Sequence, residues 1–153
     1  MSTPYCIPHR RELTAEEKAL LRTLVEQTGV QRAELSSQID RLKVVARCGC
    51  GECPGVLFAF DLNEQPNTNA GLAVASLRGV NADGVDVGAY LHAPGGKISE
   101  LAAIAWSGGD AKRWPSLAAM KATGEHLPSN SALLTDAYHS PLRGSSGAAK
   151  RGR

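Results

Sequence analysis

Apolar residues recur at helical spacing in the first third of the chain. The apolar positions that lie three to four residues apart are Leu20, Leu21, Leu24 and Val25, and this spacing places them on one side of a helix. The segment Thr14-Ala-Glu-Glu17 has the form of a capping box, and Gly29 suits the position just after a helix end. A helix is therefore predicted over 14–28.

A second helix is predicted over 31–42. Leu35, Ile39 and Leu42 form one apolar stripe there, and polar residues occupy the remaining positions. The two helices together form a predicted hairpin. Its apolar face must pack on another element of the fold, because a helical stripe is stable only when it is buried.

Beyond Lys43 the pattern changes to that of strands separated by turns containing Gly, Pro and Asn. Five strands are predicted, at 43–47, 56–60, 72–80, 85–93 and 98–107. The last three are consecutive and read as a meander. In the segment 85–93, Asp86, Tyr90 and His92 share the more polar face. This alternation is typical of an antiparallel strand with one face in water.

The chain of 153 residues is expected to form one domain with tails. Residues 1–13 are predicted to be an extended lead-in, because Pro4 and Pro8 oppose a helix. Residues 14–126 are predicted to be a single α+β domain in which an N-terminal helical hairpin packs on a mainly antiparallel sheet of about five strands. Residues 127–153 are rich in Gly, Ser and Pro and predict a disordered, flexible basic tail.

Charge is distributed unevenly along the chain. The formal net charge is +2, but the last acidic residue is Asp136, and four cations follow it, so residues 1–142 carry −2. The body of the protein is therefore mildly acidic. Nucleic-acid binding through the basic tail, residues 143–153, is one hypothesis, although a nucleic-acid-binding domain usually carries a basic face of its own.

The sequence predicts neither membrane insertion nor secretion. No segment approaches the run of about 20 apolar residues that a spanning helix needs, and residues 1–11 lack the apolar stretch of a signal peptide. A cytoplasmic location is therefore expected. Thiols stay reduced in that compartment, so cysteines close in sequence are more often metal ligands or reactive groups than disulfides.

The most distinctive chemistry lies in one short cysteine run, Cys48-Gly-Cys50-Gly-Glu-Cys53. Structural zinc takes four soft ligands in a tetrahedral array, and this run supplies three. The candidates for the fourth ligand are Cys6, His9 and His92. A structural zinc site is therefore one interpretation. The simpler one is that the three thiols pack in a turn that glycines at 49, 51 and 55 allow to fold tightly.

Thiol catalysis is a further alternative, with little support in the sequence. A reactive C-x-x-C pair usually begins a helix, whose dipole lowers the thiol pKa, whereas Pro54 and an apolar strand follow here. Arg47 is the only adjacent cation, and Glu52 is expected to raise a neighbouring thiol pKa. A cysteine could still use His92 as a base. No phosphate-binding loop, dinucleotide fingerprint or hydrolase motif is present in the sequence.

The segment Arg47-Cys-Gly-Cys-Gly-Glu-Cys-Pro54 resembles a turn found in a group of small bacterial proteins that have no established activity. These proteins combine a helical hairpin, a Cys-x-Cys-Gly-Cys-Pro-type turn and a β-meander. The corresponding parts of this chain are 20–42, the cysteine run and 91–106. This chain departs from the pattern in having Glu52 before Cys53. The resemblance implies an architecture and no particular function.

The function that these observations favour is a small binding or regulatory protein without catalytic activity, for example one that neutralises a toxin. Its partner is expected to be a protein, held at a strand edge or on an open sheet face. Trp106, Trp114 and Tyr90 are the candidate aromatic anchors. An exposed sheet edge would also allow a homodimer. A thiol-dependent or metal-assisted enzyme that uses the cysteine run is the alternative.

Overall fold

The computed structural model describes residues 3–123 of the chain, and in that part seven strands form one sheet. The strands are β1 (Cys6–Glu12), β2 (Lys43–Cys48), β3 (Val56–Ala59), β4 (Ala73–Val80), β5 (Asp86–His92), β6 (Glu100–Ala105) and β7 (Lys121–Ala122). Their spatial order is β1-β2-β3-β6-β5-β4-β7, and each adjacent pair is antiparallel. The predicted α+β class, the five strand segments and the meander of β4, β5 and β6 are confirmed.

Two strands lie where the sequence predicted none. The supposed lead-in contains β1, which pairs with β2 at the sheet edge and has a register shift between Pro8 and Arg11. Proline is tolerated at edges and bulges because no ladder hydrogen bond is lost there. The short strand β7 pairs with the outer side of β4. The prediction of five strands was therefore too low.

The first predicted helix is present as α1, which spans Ala15–Val25. Its capping box is confirmed, since the Thr14 side chain accepts from the Glu17 amide and the Glu17 side chain accepts from the Thr14 amide. The helix ends at Val25, with Glu26 as its C-cap, earlier than predicted. Gly29 adopts a φ of +64°, a left-handed conformation that glycine reaches without strain.

The second predicted helix is not continuous. It consists of a 3₁₀ turn at Gly29–Gln31, the short helix α2 at Arg32–Ser36 and another 3₁₀ turn at Ile39–Arg41. At the break lies Gln38, whose side-chain amide donates to the Gly96 carbonyl and accepts from the Ile98 amide. A tertiary contact thus replaces helical continuity, while Leu35 and Ile39 remain in the core.

The helices pack on one face of the sheet and bury an aliphatic core. Its fully buried members include Leu21, Leu24, Leu35, Ile39, Val44, Phe58, Ala89, Leu91 and Leu101. Aromatic residues make up only 5% of the chain, so a core of this kind is built mainly from aliphatic side chains. Burying each Leu or Ile side chain stabilises the fold by about 1.5–3 kcal/mol, so the helices are held chiefly by this face.

Strand β5 is buried on both faces, and the prediction of a half-buried strand was wrong. Tyr90 and His92 are each 1% exposed. The backbone of residues 70–72 lies against the His92 ring, and Tyr90 packs with Ala73 and Ala102. The second face is covered by chain segments that carry no hydrophobic periodicity, so the alternation along β5 could not reveal the cover.

No helix among residues 3–123 is long and apolar enough to cross a membrane. Residues 124–126 of the predicted domain and the predicted basic tail at 127–153 lie outside the described residues. The nucleic-acid hypothesis, which depends on that tail, therefore stays a prediction.

Candidate metal centre

The cysteine run lies where β2 ends and β3 begins. Cys48 is the last residue of β2, and Cys50 and Cys53 lie in the turn that leads to Val56, the first residue of β3. The three Sγ atoms lie within 4.8 Å of one another. Bonds of about 2.3 Å to a tetrahedral zinc ion would place sulfurs about 3.8 Å apart. Small side-chain movements would close the observed group around one ion.

A close approach of two backbone segments requires glycine at position 49. A Cβ atom built there would lie 1.6 Å from the Pro4 carbonyl oxygen. The Gly49 amide donates to the Tyr5 carbonyl at 2.9 Å. Because there is no side chain at 49, the segment that precedes β1 can lie directly against the cysteine turn. Gly51 has a different role: its φ of +74° is a left-handed conformation that glycine adopts without strain, which allows the chain to turn there.

Replacing Gly49 with alanine tests this approach. The new methyl group must displace the Pro4–Tyr5 backbone, and Gly49→Ala is expected to lower the free energy of unfolding by about 1–3 kcal/mol, the usual range for overpacking. Urea denaturation followed by tryptophan fluorescence measures the change. The control is Gly109→Ala, whose Cβ would lie at an ordinary 3.6 Å from Val85 and which should change stability by less than about 0.5 kcal/mol. Equal effects of the two substitutions would contradict the close approach.

The backbone two residues further along the chain acts on each sulfur of the cluster through a hydrogen bond. The Cys50 sulfur accepts from the Glu52 amide at 3.4 Å and from the Cys53 amide at 3.2 Å. The backbone of Cys50 likewise lowers the pKa of Cys48, and the backbone of Gly55 acts in the same direction on Cys53. Amides directed at sulfur stabilise the thiolate, which is the form that binds a metal.

One negative charge is already favoured within the cluster. A hydrogen bond from Cys53 is the largest cause that lowers the pKa of Cys48, to about 5, with the Cys50 amide, the Cys50 thiol and Arg47 assisting against burial. The same hydrogen bond, followed by burial, raises the pKa of Cys53. Cys48 is therefore the thiolate and Cys53 the donor. The sequence did not indicate this arrangement, because it depends on which sulfurs meet.

Two residues beside the run were expected to control its charge. The charge of Arg47 lowers the pKa of Cys48, but it is the smallest of the effects that do so. Its Nη2 atom donates to the Cys53 carbonyl at 3.5 Å. Glu52 is directed elsewhere, with a carboxylate oxygen 3.7 Å from the Lys112 ammonium. It is not among the causes that shift the pKa of Cys48 or of Cys53.

The three candidate fourth ligands lie at different places. Cys6 is the direct cross-strand partner of Cys48 in the β1–β2 pair and is partly buried. His9 lies in the irregular part of β1, and its Nε2 atom accepts from Arg11 Nε at 3.1 Å. His92 lies on β5, three strands from β2 in the sheet, a separation of about 14 Å. Only Cys6 is brought beside the cluster.

The structure adds a buried carboxyl group that the sequence did not single out. Glu100 on β6 is 9% exposed, and the Tyr5 hydroxyl donates to its Oε1 atom. It is also the cross-strand partner of His92, whose two ring nitrogens have no hydrogen-bond partner among residues 3–123. Burial lowers the pKa of His92, and the backbone of residues 70–72 acts on this pKa in the opposite direction but more weakly. Glu100 begins an apolar strand, and only the fold reveals its burial.

The pKa of Glu100 predicts a specific pH dependence. Burial is the main cause that raises this pKa from 4.5 to about 7. Between these values the unfolded chain loses the proton that the folded chain keeps, so stability falls as pH rises. Glu100→Gln, which keeps an oxygen acceptor for Tyr5, is expected to remove this loss and to exceed the wild type by about 3 kcal/mol at pH 8. Urea titrations of both proteins in chelator at pH 5 and pH 8 measure the difference. A constant difference at both pH values would contradict the assignment.

No family model, no curated protein and no solved structure matches this chain. The chemistry of the site therefore rests on the residues described above. These residues supply three soft sulfur ligands, a set of backbone amides directed at them, one thiolate held ionised and a fourth thiol on the neighbouring strand.

Proposed function

We propose that this protein is a small zinc-binding module whose Cys48, Cys50 and Cys53 thiolates hold the ion, and that it acts as a binding or regulatory domain without catalysis of its own. One observation carries the proposal. Three sulfurs lie within 4.8 Å of one another. Thiolates are the ligands that structural zinc prefers, and they select it over hard cations such as magnesium.

The electrostatics of the cluster support the proposal. A metal ion needs deprotonated ligands, and Cys48 is ionised at neutral pH. Binding would displace the proton that Cys53 shares with Cys48, while the backbone amides remain directed at the sulfurs. The ion would join the end of β2 to the start of β3. It would therefore stabilise a turn that otherwise depends on glycine and on a few hydrogen bonds.

Native mass spectrometry combined with elemental analysis tests the proposal on protein purified without chelator. The expected result is one zinc ion per chain. A strong chelator should remove this ion and, with it, the protection of the cluster thiols against alkylation. His9→Gln is the control, since His9 is bonded to Arg11 away from the cluster, and it should keep the full zinc content. Absence of zinc after incubation with excess zinc salt and removal of the unbound ion would overturn the proposal.

A dithiol redox protein is the second candidate. The specific observation in its favour is the hydrogen bond from Cys53 to Cys48, which leaves Cys48 as a nucleophilic thiolate beside a second thiol. Rapid alkylation of Cys48 at pH 6, in protein that binds no zinc, would favour this candidate. Alkylation that zinc suppresses would favour the metal-binding module.

A further inference from the structure

The β1–β2 pairing brings one more cysteine to the cluster. The Gly49 amide donates to the Tyr5 carbonyl, which makes Tyr5 and Gly49 a hydrogen-bonded pair of the antiparallel ladder. Cys6 and Cys48 form the next pair, which is consequently of the non-hydrogen-bonded kind. In such pairs the Cα atoms lie about 4.5 Å apart, and the two side chains project from the same face in close contact.

From this juxtaposition we infer that Cys6 is the fourth ligand and that the site is a closed centre of four thiolates. The inference rests on the proposed function. The Cys6 side chain starts beside that of Cys48, which itself belongs to the cluster, so rotation about its single side-chain torsion can direct the sulfur towards the ion. The raised pKa of Cys6 agrees with this position, because burial, Glu100 and the nearby Cys48 charge cause it in that order.

The other polar groups near the cluster have different partners. Glu100 accepts a hydrogen bond from Tyr5, Glu52 lies beside Lys112, and His9 accepts from Arg11. Cys6, like the other three cysteines, is not in a disulfide. Only burial and charge shift its pKa, with no hydrogen bond among the causes. It is the soft ligand that the ion can recruit without breaking an existing interaction.

Two consequences follow from a fourth protein ligand. The ion would have no open position for water or substrate, which makes its role structural and not catalytic. It would also join two segments that are distant in the chain, namely the edge strand β1 and the cysteine turn between β2 and β3. Edge strands have a partner on one side only, and a metal bridge at Cys6 would fix the first residue of this one.

Counting protected thiols tests the inference on the wild-type chain, so no variant has to fold. Zinc-loaded protein and chelator-treated protein are alkylated for short times with iodoacetamide, and peptide mass spectrometry gives the extent at each cysteine. The expected result is protection of all four cysteines by zinc, with Cys6 at least about tenfold slower than in the chelated protein. Protection of the other three alone, with Cys6 unchanged, would overturn the inference and leave the proposed zinc site intact. Absence of bound zinc would remove both.

A cobalt-substituted sample provides the second measurement. Sulfur-to-cobalt charge-transfer absorption reports the number of thiolate ligands, so Cys6→Ser is expected to lower it by about a quarter with one cobalt still bound. The matched control is Glu100→Gln, which alters the neighbouring carboxyl group and should leave the band unchanged. An unchanged charge-transfer band in Cys6→Ser would contradict the assignment to Cys6, and a shift of the cobalt d–d bands in Glu100→Gln alone would identify Glu100 as the fourth ligand.

Discussion

Cys48→Ser is expected to abolish zinc binding and to remove all stabilisation by zinc. At a free zinc concentration about a thousand times the dissociation constant, that stabilisation amounts to about 4 kcal/mol. Cys48 matters most because it is the thiolate that the cluster already holds ionised. A serine hydroxyl stays protonated at neutral pH and cannot replace it. Thermal unfolding with and without added zinc measures the effect.

The comparison in chelator separates ligation from packing. Without metal, Cys48→Ser should lose only the hydrogen bonds that favour the Cys48 thiolate, a difference from the wild type that does not depend on zinc, since the substitution keeps nearly the same volume in a partly buried position. With zinc, only the wild type should shift. A zinc-dependent shift of equal size in both proteins would place the ion elsewhere and refute the assignment to the cysteine turn.

Glu17→Ala is expected to lower the free energy of unfolding by about 2–3 kcal/mol. Glu17 is 5% exposed, and its two carboxylate oxygens each accept from Arg11 at 2.8 Å. It also accepts from the Thr14 amide at 2.9 Å. Breaking a buried pair costs about 3–5 kcal/mol, and the value is smaller here because Arg11 is one-third exposed. Urea denaturation at pH 7 measures the loss.

The control for this prediction lies one residue away. Glu16 is exposed in the same helical turn, and Glu16→Ala should lose less than about 1 kcal/mol through the helix dipole. Burial opposes ionisation of Glu17, but the bonds from Arg11 and Thr14 outweigh it and lower the pKa below 4.5. The contribution of the pair is thus present above pH 4.5 and is lost as pH falls further. A difference between Glu17→Ala and the wild type that does not shrink as pH falls below 4.5 would contradict this explanation.

The parts of the fold that were predictable depend on residues close in sequence. The capping box at Thr14 and Glu17 is formed across three residues, and its sequence signature is sufficient. The strand segments likewise follow from local composition and from the glycines between them. The length of α1 and the break before Ile39 did not follow. The Gln38 side chain bonds the backbone of Gly96 and Ile98, some 60 residues away in the chain.

Strand β1 shows why an edge is difficult to predict. Its sequence, Cys6-Ile-Pro-His-Arg-Arg-Glu12, contains a proline and lacks the alternation of apolar and polar residues that is typical of a strand. It becomes a strand because β2 offers unpaired backbone groups, and a bulge near Pro8 absorbs the proline. The burial of His92 and Glu100 was hidden for a related reason, since the segments that cover them carry no periodic signal.

The candidate site likewise has features that the sequence predicts and features that only the fold reveals. The spacing of Cys48, Cys50 and Cys53 is local, and it indicated a cluster that the structure confirms. The sequence predicted that no helix dipole acts on the cluster, and it did not indicate that another cysteine of the cluster lowers the pKa of Cys48 instead. The relation of Cys6 to Cys48 depends on strand pairing across more than forty residues.

By itself, then, the amino-acid sequence determined the helix at α1, the order of strand and turn segments, the aliphatic core and the sulfur-rich turn, since short-range sterics, capping and hydrophobic periodicity specify each of them. The tertiary structure alone decided that β1 joins the sheet, that His92 lies far from the cysteines and that Glu100 is buried. It also decided that Cys6 lies opposite Cys48 in the β1–β2 pair and that Cys53 donates a hydrogen bond to the Cys48 sulfur. These features arise when distant segments share one sheet, and the resulting distances set both the pKa values and the ligands within reach of a metal.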